Sequence, residues 1–374
     1  MSETISHLKT EVVRPLKERF VGRDEVIDLI ALAAVAGEHL FLYGPPGTAK
    51  SALIREFAQT VRGRYFEYML TRFSEPNEIF GPIDIARLRE GTVATVTHGM
   101  LPEADFVFLD ELFNANSAIL NNLLTVLNER VFRRGAEVHK LPLLSLFSAS
   151  NHLPEDEALR ALFDRFLLRC PVHNLSRDVM PQLLHAGWAL EHASPIQSEL
   201  DVGVLSRMRQ HLREVNLSAV LEPYIEVTQR VRDLGIAFSD RRAVKVLKLL
   251  AASALLCDRS YCQPSDMWVL RYVWDREEQI APLKSLVNGV LEQHQQENER
   301  HPLSTTQPNP DGEELAKALA EVRREMTEKT LTLSQTARIR ERLTELSDRA
   351  AWLSDAGARE HLLAETRECL TQLG

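Results

Sequence analysis

Residues 40–54 read LFLYGPPGTAKSALI, and this stretch constrains the fold more than any other part of the chain. Its apolar run predicts a buried strand, its Gly/Pro turn ends that strand, and renewed apolar spacing predicts a helix that begins near Lys50. Such a turn places several backbone N–H groups and the positive end of a helix dipole around one concavity. The stretch therefore predicts an anion-binding loop of the kind that holds nucleotide phosphates.

The loop nearly matches the pattern G-x-x-x-x-G-K-[ST], but Ala49 stands in the place of the second glycine. The backbone approaches the phosphates closely there, so we expect alanine to be tolerated provided that its φ is negative. Lys50 is expected to reach the β- and γ-phosphates of ATP, and the Ser51 hydroxyl to bind Mg²⁺. The predicted loop consists of Gly44, Pro45, Pro46, Gly47, Thr48, Ala49, Lys50 and Ser51.

A second motif, FVFLDEL at residues 106–112, predicts a buried strand that ends in two carboxylates. We expect Asp110 to hold Mg²⁺ and Glu111 to polarise an attacking water molecule. An acidic pair at the end of a strand can also cap a helix. Its place after a phosphate-binding loop favours hydrolysis, and both carboxylates are what such a reaction needs.

Residues 1–175 alternate short apolar runs with helical patterns, which is typical of a parallel sheet covered by helices. Residues 176–275 show helical spacing alone and predict a separate helical lid, including a helix over Arg241–Cys257 and another, capped by Ser265 or Asp266, that holds Trp268 and Trp274. The predicted strands are His39–Tyr43, Tyr65–Leu70, Phe106–Leu109 and Leu143–Ala149.

Residues 276–374 carry apolar stripes at helical spacing, which predict a C-terminal helical bundle. The predicted core positions are Leu283, Leu286, Val290, Leu291, Leu315, Leu319, Val322, Met326, Ile339, Leu343, Leu346, Ala350 and Leu353.

The formal net charge of −9 comes from 44 basic and 53 acidic residues, which argues against sequence-independent binding of nucleic acid. No stretch of the sequence is long and apolar enough to span a membrane, and the N-terminus lacks the apolar core of a signal peptide. Few, scattered cysteines predict free thiols in a reducing, cytoplasmic environment. They are Cys170, Cys257, Cys262 and Cys369.

Several motifs together resemble the MoxR family of AAA+ ATPases. They are GPPGTAKS (44–51), FLDE (108–111), LLTVLNER (123–130), SASN (148–151) and LFDRF (162–166). The stretch EYMLTRFSEPNEIFGP (67–82) is similar to the RavA-like branch, where alanine before the lysine is usual. The resemblance covers residues 1–275 and implies an α/β AAA+ core of the αβα type, followed by an all-α lid and a helical bundle.

This resemblance assigns further roles. Asn151 would be sensor 1 and would orient the hydrolytic water with Glu111, the plain alternative being an asparagine that caps a turn. Arg165 would be the arginine finger inserted into the site of a neighbouring subunit, the plain alternative being a surface arginine. Residues 80–99 and 131–141 would form an insert and a hairpin, either facing the pore or surface of a ring or simply exposed to solvent.

The nucleotide would also meet residues outside the core motifs. Arg241 resembles sensor 2 of the lid, with Arg242 as the alternative if the register shifts by one. Val21 and Gly22 match the segment that packs near the adenine.

The resemblance implies an ATP-driven ring, expected to be hexameric, that remodels a client protein together with a partner carrying a von Willebrand factor A domain. Two other functions stay open. The first is a nucleic-acid motor, for which Arg133 and Arg134 of the hairpin are the specific evidence. A nucleotide-gated scaffold would bind ATP without turning it over, which the presence of both Asp110 and Glu111 disfavours.

Overall fold

In this computed structural model the described residues are 2–135, 137–154, 156–175, 179–190, 192, 194–294, 301–304, 312–328, 336, 339, 340, 342, 343, 346, 347, 350 and 356–372. The chain divides into two compact units, Met1–Ser304 and Thr305–Gly374.

A five-stranded parallel sheet with the order β2-β3-β6-β1-β7 organises the described part of the first unit. Nearly every residue of β3 and β6 is buried. Because successive side chains of a strand point to opposite faces, both faces of this sheet are covered, and the predicted α/β fold is confirmed. The strands are β1 (Leu40–Tyr43), β2 (Tyr65–Met69), β3 (Phe106–Asp110), β6 (Ser145–Ser150) and β7 (Leu168–Pro171).

The four predicted strands are all present, with ends that differ by one or two residues. The fifth strand, β7, escaped sequence reasoning because Arg169 interrupts its apolar run. This arginine is nevertheless fully buried. Two further strands, β4 (Val131–Arg134) and β5 (Glu137–Lys140), pair antiparallel and form the predicted hairpin with Arg134 and Gly135 at its tip.

Helices form most of the rest of the described part of the first unit. They are α1 (Ser2–His7), α2 (Arg14–Arg19), α3 (Asp24–Ala36), α4 (Lys50–Thr60), α5 (Pro76–Phe80), α6 (Ile85–Arg89), α7 (Ser117–Glu129), α8 (Glu157–Phe163), α9 (Met180–Leu190), α10 (Val202–His211), α11 (Ser218–Asp233), α12 (Asp240–Leu256) and α13 (Ile280–Gln293), with a π-helical segment at Leu8–Val13. Short 3₁₀ helices lie at Leu101–Glu103, Leu112–Asn114, Leu212–Glu214, Pro264–Tyr272, Glu277–Gln279 and Pro302–Ser304. Within the described ranges, no helix is long and apolar enough to cross a membrane.

The lid helix α12 agrees with the prediction, since Ser239 caps it by accepting a hydrogen bond from the Arg242 amide at 3.3 Å. The next predicted helix is wrong in type and length. Pro264–Tyr272 is a 3₁₀ helix that starts with a capping box between Gln263 and Asp266, and Trp274 lies beyond its end.

The predicted C-terminal bundle is divided differently by the structure. Helix α13 packs on the 3₁₀ helix Pro264–Tyr272, so its apolar face (Leu283, Val287, Val290 and Leu291) belongs to the core of the first unit. The second unit contains α14 (Gly312–Glu328) and α15 (Ala356–Gln372). Its core combines Leu315, Leu319, Val322, Ile339, Leu343, Leu346, Ala350, Leu362 and Cys369. Leu353 lies outside the described residues, and the domain limits at 175 and 275 stay predictions.

Candidate functional site

Three neighbouring strands bring the predicted motifs to one edge of the sheet. Tyr43, the last residue of β1, pairs with Ser150, the last residue of β6, and the Gly44 amide donates to the Ser150 carbonyl at 3.1 Å. Strand β3, which ends at Asp110, runs parallel on the other side of β6. The loop, the acidic pair and Asn151 therefore all follow carboxyl ends of adjacent strands, where open α/β sheets bind ligands.

Residues 44–51 form a tight loop held by its own side chains. Gly44 has a φ of +157°, and a Cβ there would lie 2.0 Å from the Val172 carbonyl oxygen, so a larger residue would collide. The Thr48 hydroxyl donates to the Pro45 carbonyl at 3.1 Å. The Lys50 ammonium donates to the carbonyls of Gly44 at 3.0 Å and Pro45 at 2.6 Å. The lysine is thus fixed over the loop.

The condition set for alanine at position 49, a negative φ, is not met in the structure. The φ of Ala49 is 63° and its ψ is 21°, the left-handed conformation that normally favours glycine. The chain needs this conformation to turn from the loop into α4, which begins at Lys50. Alanine fits because its methyl group is exposed, at a backbone cost on the order of 1 kcal/mol.

The acidic pair faces the same loop. Glu111 also adopts a left-handed conformation, with a φ of 53°, and its amide donates to Asp110 Oδ1 at 3.0 Å. Burial lowers the pKa of Lys50, while the carboxylates of Asp110 and Glu111 act in the opposite direction. Lysine and carboxylates are therefore within electrostatic reach of one another. Backbone strain of this kind clusters at functional sites.

Asn151 is exposed at the end of β6, and its Oδ1 atom accepts a hydrogen bond from His152 Nδ1 at 2.8 Å. His152 also lies 3.3 Å from the Ser150 hydroxyl, measured from Nδ1. Sequence reasoning gave His152 no role, because a histidine next to an asparagine does not match any recognisable motif. The contact fixes the side chain of the predicted sensor.

The segment with Val21 and Gly22 lies against the chain that leaves β7. A Cβ on Gly22 would come within 2.6 Å of the Leu175 side chain, and the Arg23 guanidinium donates to the His173 carbonyl at 2.9 Å. The charge of Arg23 also contributes to lowering the pKa of Lys50. This segment is therefore close to the loop, as the adenine assignment requires.

The two predicted lid arginines do not join this group. Arg241 is exposed and donates to Asn128 Oδ1 on α7 at 2.8 Å. Arg242 is only 2% exposed, and its guanidinium donates to Ala237, Val273 and Asp275. Neither contact involves the loop at residues 44–51.

Arg165 is the second residue after the end of α8, and its side chain is 23% exposed. Its Nη1 atom donates to Asp164 Oδ2 at 3.2 Å, whereas its Nε atom is buried with no hydrogen-bond partner in the structure. Asp164 lies in the quoted LFDRF motif, but only the arginine received a role there.

The predicted Mg²⁺ donors are the Ser51 hydroxyl, in the first turn of α4, and the Asp110 carboxylate. Among the residues that the structure describes, no cluster of three or more His, Cys, Asp or Glu side chains could hold a metal by itself. A hydroxyl and one carboxylate suit Mg²⁺, which protein sites commonly bind through one or two side chains, phosphates and water. The residues present therefore fit a magnesium ion delivered with a nucleotide.

Comparisons with known proteins agree with this geometry. A family model described as the MoxR domain in the MoxR-vWA-beta-propeller ternary systems matches residues 6–210, and an AAA lid domain model matches residues 205–287. An uncharacterised protein of Methanocaldococcus jannaschii is 34% identical over 79% of this chain and 77% of its own length. The chaperone MoxR1 of Mycobacterium tuberculosis is 25% identical over 70% of this chain and 72% of its own.

The fold is also similar to that of a candidate ATPase from Cytophaga hutchinsonii. The TM-score is 0.63 with 18% identity, and the match covers 78% of this chain and 95% of the other.

Proposed function

Because this chain belongs to the MoxR family of AAA+ ATPases, we propose that it binds and hydrolyses ATP in a ring and thereby remodels a partner protein. One observation carries the proposal. Asp110, Glu111 and Asn151 lie at or directly after the ends of two adjacent strands, and the loop at residues 44–51, which includes Lys50, follows the neighbouring strand β1 at the same edge of the sheet.

Each residue at this edge has a role that its position supports. The loop amides and Lys50 would bind the phosphates, and Lys50 would exchange its carbonyl partners for phosphate oxygens. Glu111 would accept a proton from the attacking water, which Asn151 would orient. Magnesium, bound through Ser51 and Asp110, would supply charge neutralisation at the β- and γ-phosphates.

The remaining roles follow from the family and from the placement of the side chains. Val21 and Gly22 would contact the adenine, and Arg165 would enter the site of the adjoining subunit. Arg241 is the better choice for sensor 2, because it is exposed, whereas Arg242 is buried and both of its Nη atoms donate to groups inside the protein.

The partner is proposed to carry a von Willebrand factor A domain, since the matching family model is named for systems that contain one. The helical second unit is a candidate for contacts with partner or client. A hexameric ring and a RavA-like affiliation remain predictions.

The alternative of a nucleic-acid motor loses its focused support. Arg133 forms an ion pair with Glu129 at 3.2 Å. Arg134 donates to Asn77 Oδ1 at 2.7 Å and to the Gly81 carbonyl at 2.9 Å. Both arginines of the hairpin therefore form contacts with other residues of the chain.

The variant Glu111→Gln tests the proposal and separates an ATPase from a nucleotide-gated scaffold. It removes the base while keeping the side-chain size, so we expect ATP binding to remain and steady-state phosphate release to fall by about 10²–10⁴-fold. Glu129→Gln, on the exposed end of α7, is the matched control. Unchanged turnover in Glu111→Gln would refute the assignment, and absence of turnover in the unmodified protein together with its partner would favour the scaffold.

A further inference from the structure

Five charged side chains meet where the lid packs on the core of the first unit. Asp164 and Arg165 follow α8, Arg169 lies in β7, Arg242 lies in the first turn of α12, and Asp275 follows the 3₁₀ helix Pro264–Tyr272. We name this group the lid–core charge cluster. It links the predicted finger, Arg165, to Arg242, the alternative candidate for sensor 2, and to Asp275, to which sequence reasoning gave no role.

Asp275 is the centre of the lid–core charge cluster. Its Oδ1 atom accepts hydrogen bonds from Arg242 Nη1 at 2.8 Å and from Arg169 Nη1, and its Oδ2 atom accepts from the Ala237 amide at 2.6 Å. The two arginines are almost completely buried. Removing one partner from a buried group of this kind leaves a charge uncompensated.

Asp164 is shared between two arginines. Its Oδ2 atom accepts from Arg165 Nη1 at 3.2 Å, while its Oδ1 atom lies 3.8 Å from Arg242 Nη1. Arg242 lies closer to Asp275 than to Asp164. Asp164 is therefore available to pair with Arg165. With three arginines and two carboxylates in the cluster, loss of either carboxylate would redistribute the remaining contacts.

The same lid segment also reaches the strand that leads into the phosphate-binding loop. The Tyr43 hydroxyl donates to Glu277 Oε2 at 3.0 Å, and its ring packs edge-on against Trp274 with 6.2 Å between centroids. Tyr43 directly precedes Gly44. Residues 274–277 therefore contact both Tyr43, which leads into the loop at residues 44–51, and two arginines of the lid–core charge cluster.

We propose that Asp275 is a positioning residue that, by holding Arg242, leaves Asp164 free to orient Arg165 toward the adjoining subunit. This inference rests on the proposed function, because it assumes that Arg165 acts between subunits. If Asp275 becomes neutral, Arg242 turns to Asp164 as its remaining carboxylate, and Arg165 loses its partner. The damage then appears in the neighbouring site and not in the subunit's own.

A mixing experiment with directional arms tests this inference. Donor subunits carry Lys50→Ala, which blocks their own site and keeps the finger. Acceptor subunits carry Arg165→Ala, which keeps the site and removes the finger. Each is expected to be nearly inactive alone, and an equal mixture regains phosphate release at interfaces where a donor finger meets an acceptor site.

Asp275→Asn is then added either to the donor or to the acceptor. In the donor we expect the regained activity to fall by about 10–100-fold, because misplacing a catalytic group by about 1 Å has an effect of that size. In the acceptor we expect little change, since its finger is already absent. Asp233→Asn, an exposed carboxylate of the same lid, is the control in both arms.

The outcomes distinguish a failure of the proposed action of Arg165 between subunits from a failure of the positioning role of Asp275. Absence of activity in the parent mixture would contradict the action of Arg165 between subunits. An equal loss in both arms would show a structural effect of Asp275 and overturn the positioning role, as would no loss in either. If Asp275→Asn does not fold, Asp164→Asn replaces it, because Asp164 is 37% exposed and the same asymmetry is expected.

Discussion

The carboxyl edge of the sheet and the interior of the lid both contain several charged residues, but these residues differ in burial and in their partners within the protein. At the edge, Ala49 and Glu111 adopt left-handed backbone conformations, and the Glu111 side chain is only partly buried. Inside the lid, Arg259 and Asp266 are completely buried and form an ion pair at 2.7 Å. Asp266 also accepts hydrogen bonds from Ser253 and from the Gln263 amide.

This difference distinguishes residues proposed to serve catalysis from residues that stabilise the fold. The two carboxylates at the edge are partly exposed, and the local backbone strain persists because the surrounding sheet holds it. Charges inside the lid are satisfied within the protein and contribute to its architecture. Substitutions at the edge should therefore change catalysis at nearly constant stability, and substitutions in the buried Arg259–Asp266 pair of the lid should do the reverse.

The largest effect is expected from Arg165→Ala. An arginine that stabilises the transferring phosphoryl group contributes about 10³–10⁵ in rate, so phosphate release should fall by that order while the melting temperature stays close to that of the unmodified protein. Arg133→Ala, in an exposed ion pair, is the control. A loss of only a few-fold would remove Arg165 from the catalytic group.

Asp266→Asn should affect stability most. It removes the carboxylate that pairs with the buried guanidinium of Arg259, so the free energy of unfolding should fall by about 3–5 kcal/mol in urea titrations. The matched control is Asp240→Asn, whose pair with Arg232 has a similar length, 2.7 Å, but is exposed. Equal effects of the two variants would contradict the distinction between the regions.

A pH dependence sharpens the description of the lid. His301 stacks on Trp268 with 4.5 Å between ring centroids, and burial together with the charges of Lys9, Lys17 and Arg259 lowers its pKa to about 3. The unfolded chain binds this proton near pH 6.5, so stability is complete above that pH and falls by up to about 1.4 kcal/mol per unit as the pH drops toward 3.

Urea titrations of the His301→Phe variant at several pH values measure this contribution. Phenylalanine keeps an aromatic ring for stacking and cannot be protonated, so the variant should lose less stability than the unmodified protein between about pH 6.5 and about pH 4. His98→Gln, at an exposed histidine, should leave the slope unchanged. Identical slopes for the unmodified protein and His301→Phe would show that His301 remains accessible to protons.

The smallest effect is expected from Ala49→Gly. Glycine adopts a φ of 63° without the clash of a Cβ atom, so the free energy of unfolding should rise by about 0.5–1 kcal/mol. Ala52→Gly, inside α4, should lower it by a similar amount because glycine weakens a helix interior. A loss of stability in Ala49→Gly would mean that the methyl group makes contacts that outweigh the strain.

The same contrast explains how much the sequence reveals. Motifs at the edge depend on local spacing, so the loop, the acidic pair and the α/β class could be read from the order of residues alone. Asp164 and Asp275 both reach Arg242 from distant parts of the chain, and no local pattern marks them. Arg169 hid the edge strand β7, because a charged residue inside a strand contradicts the apolar pattern that predicts one.

Errors in the prediction have equally specific causes. The φ of Ala49 depends on the turn that joins loop and helix, and this geometry overrides the preference of alanine. Helix α13 has an apolar stripe that fits any helical neighbour, so its pattern could not distinguish the lid from the second unit.

Calorimetric titration with ATP at saturating magnesium most directly tests whether the edge of the sheet is a nucleotide site. The unmodified protein should bind, and Lys50→Ala should bind far more weakly while keeping its melting temperature, since the hydrogen bonds that the lysine donates among the described residues stay within its own loop. No detectable binding by the folded unmodified protein, or equal binding by Lys50→Ala, would contradict the account.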